Sequence, residues 1–190
     1  MPITIKTKKD IENMRIAGQK AAAVLNMLDK YVVPGITTEE LDKIAFDYIT
    51  RDLKCIPANV GYNGYPKTLC TSLNSVICHG IPSETQTLKD GDILNIDVTV
   101  IENKWHGDTS KMYAVGKIQN FAKRLIDVTQ ECMYQGIKKV RPGEKLGTIG
   151  SAIQKHAENN HYSVVRDYCG HGIGKVYHEE PQVLHYGNPG

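Results

Sequence analysis

Two aspartates raise the first question about this chain. Within LNIDVTVIENKWHGDTSK (Leu94–Lys111), Leu94, Ile96, Val98 and Val100 fall on one face, and Asn95, Asp97 and Thr99 on the other. That is the period-2 pattern of a half-buried strand. A turn around Glu102-Asn103 reverses the chain, since Asn103 tolerates positive φ. A loop of two or four residues aligns Ile101 with Lys104, Thr99 with His106 and Asp97 with Asp108, a register that a three-residue loop would spoil. The two carboxylates would then be direct cross-strand neighbours, about 4.5–5.5 Å apart at Cβ, where like charges normally destabilise a sheet. Three outcomes are open: both are solvated, one takes up a proton, or a cation sits between them.

A cation there would want further ligands, usually histidine or carboxylate. The stretch YCGHGIGKVYHEEP supplies candidates. His171 lies between Gly170 and Gly172, where missing Cβ atoms let backbone, ligand or metal approach closely. His178, and His79 in ICHGIP, could hydrogen-bond a substrate. His156 and His161 belong to a polar helix end, His106 to a strand flank and His185 to the tail. Glu179 and Glu180, as adjacent carboxylates, more often cap, pair or face water than bind metal. The five cysteines (Cys55, Cys70, Cys78, Cys132, Cys169) are odd in number and include no CxxC, which argues against a disulfide framework and a thiolate zinc site and for buried reduced thiols.

Four helices are expected to position these residues. The first runs from about Lys8 to Tyr31, capped by Thr7 and closed by Pro34-Gly35. The second runs from about Thr38 to Leu53, with Thr37 and Glu40 spaced as a capping box. The third spans about Phe121 to Lys139 after Asn120, and the fourth about Leu146 to Asn159; all carry apolar stripes at helical spacing. KYVVPGITTEELDKIAFDYI and KKVRPGEKLGTIGSAIQKHA align on their Pro-Gly pairs at a shift of 108 residues, the mark of an internal repeat. In the first copy a charged hairpin follows the histidine segment. In the second, twelve residues follow His178, so the counterpart hairpin is expected beyond Gly190 and the chain is expected to be incomplete.

Composition narrows the field. A chain of 190 residues, 41% hydrophobic and 23% charged, suits a globular protein with a substantial core. A formal charge of +2 with scattered lysines and arginines gives no reason to invoke nucleic acid or an acidic membrane surface. No apolar run approaches the roughly 18 residues of a membrane span. The N-terminus MPITIKTKKDIENMR lacks a secretory apolar core, so a cytoplasmic location is expected.

Taken in order, GYNGYPKTLCTSLNSVICHGIP, GDILNIDVTV, HGDTSKM, YCGHGIG and HEEPQVLHYG resemble the bacterial-type (type I) methionine aminopeptidases across nearly the whole chain. The resemblance implies an α+β pita-bread fold, two pseudo-symmetric halves of helices on a curved antiparallel sheet. Residues 1–190 would be one catalytic domain, its first half about 1–115 and its second about 116–190 and truncated. It implies that Asp97, Asp108 and His171 are three of five metal ligands, Asp108 bridging two divalent ions (Mn, Co, Fe or Zn), the other two being glutamates beyond Gly190. His79 and His178 would contact the substrate at the scissile peptide. Tyr62, Tyr65, Cys70 and Tyr177 would line the methionine pocket. Tyr177 stands where relatives often have phenylalanine, and Asn59 where many have cysteine.

The implied activity is removal of the initiator methionine when the next residue is small, by metal-activated water attack on the peptide carbonyl. The chain's own start, Met1-Pro2, would qualify as a substrate. The implied setting is a cytoplasmic monomer acting on Met-Xaa N-termini of nascent proteins in transient association with the ribosome. Two alternatives stand beside it: a shortened, catalytically impaired scaffold binding a peptide or a single metal ion (with one ion or none in the truncated chain), and a prolidase-like peptidase cutting before proline. The motif GYNGYPKTLC favours methionine. The 190-residue chain alone is expected to turn over far more slowly than a C-terminally extended one.

Overall fold

The computed structural model describes residues 3–190, so the Met1-Pro2 start lies outside the described residues. The chain forms two compact units.

The larger unit comprises residues 5–119 and 173–177. Helix α1 (Lys8–Leu28) begins at a capping box, in which the Thr7 side chain accepts from the Asp10 backbone N–H and the Asp10 carboxylate accepts in return. Helix α2 (Thr38–Asp47) starts with the same device at Thr37 and Glu40. It gives way to a wider π-type turn at Tyr48–Asp52, earlier than the apolar stripe suggests. The strands are β1 (Ile56–Pro57), β2 (Leu69–Leu73), β3 (Ile93–Glu102) and β4 (Trp105–Ala114). All pair antiparallel with β3: β4 along one edge, β2 and then β1 along the other.

The alternation in β3 settles which face does what. Leu94, Ile96, Val98 and Val100 pack with Ala21, Val24, Leu25 and Leu28 of α1 and Leu41 and Ala45 of α2 in one buried core. Gly107, paired with Val100 on that face, sits so close to α1 that a Cβ there would come within 2.2 Å of the Ala17 carbonyl oxygen. The opposite face carries Asp97, Thr99, Asp108 and Ser110. With its apolar partner residues committed to the helices, the sheet presents its polar row on the other side.

The smaller unit holds α3 (Asn120–Ile137), α4 (Gly147–Asn159) and a two-stranded ribbon of β5 (Gly170–Gly172) and β6 (Glu179–Val183). Helices α3 and α4 cross tightly at Gly136, where a Cβ would come within 2.9 Å of Ile153 Cδ1. Val128, Cys132 and Ala157 form its core with Ile153, Tyr162 and Val164. All five cysteines are free thiols. No described helix is long and apolar enough to cross a membrane.

Candidate active site

The β3–β4 turn differs from the expected one. Asn103 and Lys104, at φ 50° and 70°, form the loop, and Glu102 pairs with Trp105. Two consecutive positive φ values are what a two-residue hairpin needs to match strand twist. The centre of the turn therefore moves by one residue and every pair by two: Asp97 faces Ser110, Thr99 faces Asp108 and Ile101 faces His106. Because the slip is an even number, Asp97 and Asp108 still share a face, but as diagonal neighbours rather than a direct pair.

The diagonal still brings the carboxylates together. They are in hydrogen-bonding contact, and the Asp97 carboxyl is held well above the usual carboxylate range, first by burial and then by the charge of Asp108. Two half-buried carboxylates in contact are costly when both are ionised, and a divalent cation between them removes that cost. The donor set therefore fits a hard or borderline metal ion. Thr99 Oγ1 donates to Asp108 Oδ1 at 2.8 Å. Cys70 pairs with Asp97 across β2–β3, so its thiol sits on the same row. Burial pushes that thiol up to about 11, which keeps it protonated and poorly nucleophilic.

Around this row stand the expected pocket residues. The Tyr65 hydroxyl is shared between the carbonyl oxygens of Leu69 (2.8 Å) and Gly80 (3.1 Å), tying β2 to the segment that carries His79. The Thr71 N–H also donates to the Gly80 oxygen at 2.7 Å. Only glycine allows that approach, since a Cβ on Gly80 would lie 2.2 Å from Thr71 O. His79 itself has φ 57°, a left-handed conformation that a non-glycine residue keeps only where its surroundings enforce it. The rings of Tyr62 and Tyr177 lie 4.8 Å apart, and Tyr177 stacks on His106 at 5.4 Å.

His171 and His178 belong to the smaller unit, their rings 4.2 Å apart. The His171 Nδ1 lies 2.9 Å from the Gly172 carbonyl oxygen, which can only accept, so Nδ1 carries the proton and Nε2 the lone pair of the neutral ring. The β5–β6 register shifts between His171 and Gly172. Among the described residues, no group of three or more His, Cys, Asp or Glu side chains is arranged to hold a metal ion. The structure thus brings Asp97 and Asp108 together in one unit and His171 and His178 together in the other.

Two contributors were not singled out from sequence. Thr99 reads as an ordinary strand threonine, yet it binds a site aspartate. His106 reads as a strand flank, yet its backbone N–H donates to the Gly174 oxygen at 2.9 Å and its Nδ1 lies 3.0 Å from the same atom, holding 173–177 against β4.

Contacting carboxylates on the sheet face turned away from the helices are a donor set that can hold a metal ion. The model of metallopeptidase family M24 matches residues 12–190. The methionine aminopeptidase of Salmonella typhimurium is 60% identical over 186 residues, spanning 98% of this chain and 70% of that protein. That of Escherichia coli K12 is 56% identical over the same shares. The crystal structure of methionine aminopeptidase from Rickettsia prowazekii matches with a TM-score of 0.97 at 52% identity, covering all of this chain and 75% of that one. The chain belongs to metallopeptidase family M24, with its pita-bread fold, and within it to the methionine aminopeptidases.

Proposed function

We propose that this protein removes N-terminal methionine from proteins whose second residue is small, by metal-assisted hydrolysis. The observation that carries the reading is the contact between Asp97 and Asp108 on the open face of β3–β4, in a chain with this family membership. Membership disfavours both the non-catalytic scaffold and cleavage before proline.

In this reading Asp97, Asp108 and His171 would hold divalent metal ions (Mn, Co, Fe or Zn). When bound, the ions supply Lewis-acid activation of water and of the peptide carbonyl. The chain's own residues do the rest. His178 donates to the carbonyl oxygen as negative charge develops there, and His79, fixed by its strained backbone, contacts the scissile amide. Tyr62, Tyr65, Cys70 and Tyr177 enclose the methionine side chain, and the protonated Cys70 thiol offers it a soft, apolar contact. A cytoplasmic monomer that meets nascent chains in transient association with the ribosome completes the proposal.

The test is release of methionine from Met-Ala-Ser with added Mn²⁺ or Co²⁺. Turnover that falls by about 100-fold or more in D97N and D108N, with Met-Arg-Ser and Ala-Pro-Ser left uncut, is the expected result. Turnover undiminished in both variants, or preferred cleavage before proline, would overturn the reading.

A further inference from the structure

Asn59, Tyr177 and Thr99 form a hydrogen-bonded brace that ends on Asp108. Asn59 is 6% exposed, and its Nδ2 donates to the Thr68 carbonyl oxygen at 2.9 Å. That bond fixes the amide orientation and turns Oδ1 toward Tyr177, whose hydroxyl donates to it at 2.8 Å. The same hydroxyl lies 2.6 Å from Thr99 Oγ1, and Thr99 donates its own proton to Asp108 Oδ1 at 2.8 Å. The tyrosine proton is shared between two acceptors, which leaves the threonine proton for the carboxylate alone. A hydroxyl that accepts while it donates is a stronger and better-directed donor.

Tyr177 is itself held on three sides. His106 stacks on its ring and fastens the 173–177 segment through Gly174, and Tyr62 packs against it at 4.8 Å. Thr99 is fully buried, so its hydroxyl depends on protein partners rather than water.

We propose that Tyr177, steadied by Asn59, acts through Thr99 as a positioning residue for Asp108, so that the pocket wall and the metal-binding carboxylate move as one hydrogen-bonded unit. This rests on the reading of Asp108 as a metal ligand. An outer partner of a ligating carboxylate commonly controls 10–100-fold of metal affinity, and the same device here adds a pocket residue to the metal's outer shell.

The experiment is calorimetric titration of the full chain with Mn²⁺, alongside the visible absorption of the Co²⁺-loaded protein. T99V should weaken Mn²⁺ binding about 10-fold or more and shift the Co²⁺ bands, while T99S should restore both. Y177F should weaken binding about threefold to tenfold, and N59A/Y177F should be no weaker than Y177F, because Asn59 acts through the tyrosine. Thermal unfolding of each metal-free variant shows whether the fold is kept, and the mild pair Y177F and T99S secures the comparison if T99V unfolds. Wild-type affinity and unshifted bands in both Y177F and T99V, with binding lost in D108N, would overturn the brace and leave the ligand assignment standing. Wild-type binding in D108N would overturn both.

Discussion

If Asp97 is a metal ligand, as proposed, it serves two states with opposite demands. In the metal-free protein its carboxyl is raised to about 7, because burial and then the neighbouring Asp108 disfavour its charge. A divalent ion needs that charge, so binding at low pH must expel a proton. Mn²⁺ affinity should therefore fall about tenfold per pH unit below about 7 and level off above it. Titration calorimetry at pH 6, 7 and 8, repeated in buffers of different ionisation enthalpy, reads both the affinity and the released proton. An affinity independent of pH across that range would mean that Asp97 is ionised without metal. At this scale, Asp97, Asp108 and His171 could be picked out as candidate ligands by type and spacing. Thr99 and Asn59 could not. Their partner, Tyr177, lies 78 and 118 residues away along the chain, and a hydrogen bond over such a separation leaves no periodicity in the sequence.

The elements were legible where a rule is local. Thr7 and Thr37 announce their helices because a capping box needs only two residues three apart. The faces of β3 follow from alternation alone. Register is different, because it depends on which two residues accept positive φ, and both Glu102-Asn103 and Asn103-Lys104 contain one good candidate. The structure places the strain on Lys104, at φ 70°. Glycine there costs nothing sterically and makes an Asn-Gly pair suited to this turn. K104G should therefore raise stability by about 0.5–1 kcal/mol, and K104V should lower it by more than about 1 kcal/mol. Denaturant unfolding measures both. Mn²⁺ affinity should be unchanged in K104G, since Asp97 and Asp108 lie seven and four residues from Lys104. A destabilised K104G would show that the lysine side chain, and not the backbone, holds the turn.

Across the whole molecule, ionisable groups pull the metal-free protein's stability in two directions. Glu39 is held low by its ion pair with Lys67, and Glu102 by Lys20. Their contributions are present above the ordinary glutamate value of 4.5 and are lost as pH falls below it. Half-buried His185, lowered from 6.5, likewise favours the native state as pH rises toward 6.5. Asp97 and Asp42 work the other way. Burial raises both above 3.8, so the native chain holds protons that the unfolded chain has shed, and stability drains as pH climbs through their native values. Asp42 is compensated by backbone N–H groups of Thr68 and Leu69, which donate to it. Asp97 is compensated by the backbone N–H of Val98, and its neighbour is another carboxylate. The amide of D97N keeps the shape without the charge. D97N should leave the metal-free unfolding midpoint unchanged near pH 4 and raise it at pH 8 by about 1–3 kcal/mol, at roughly 2–4 °C per kcal/mol for a chain of this size. The same substitution should abolish the stabilisation that saturating Mn²⁺ gives the wild type. Thermal scans at the two pH values, with and without the ion, separate these effects. Equal midpoints for D97N and wild type at pH 8 without metal would show that the carboxylate pair is solvated, the first of the three outcomes its sequence left open.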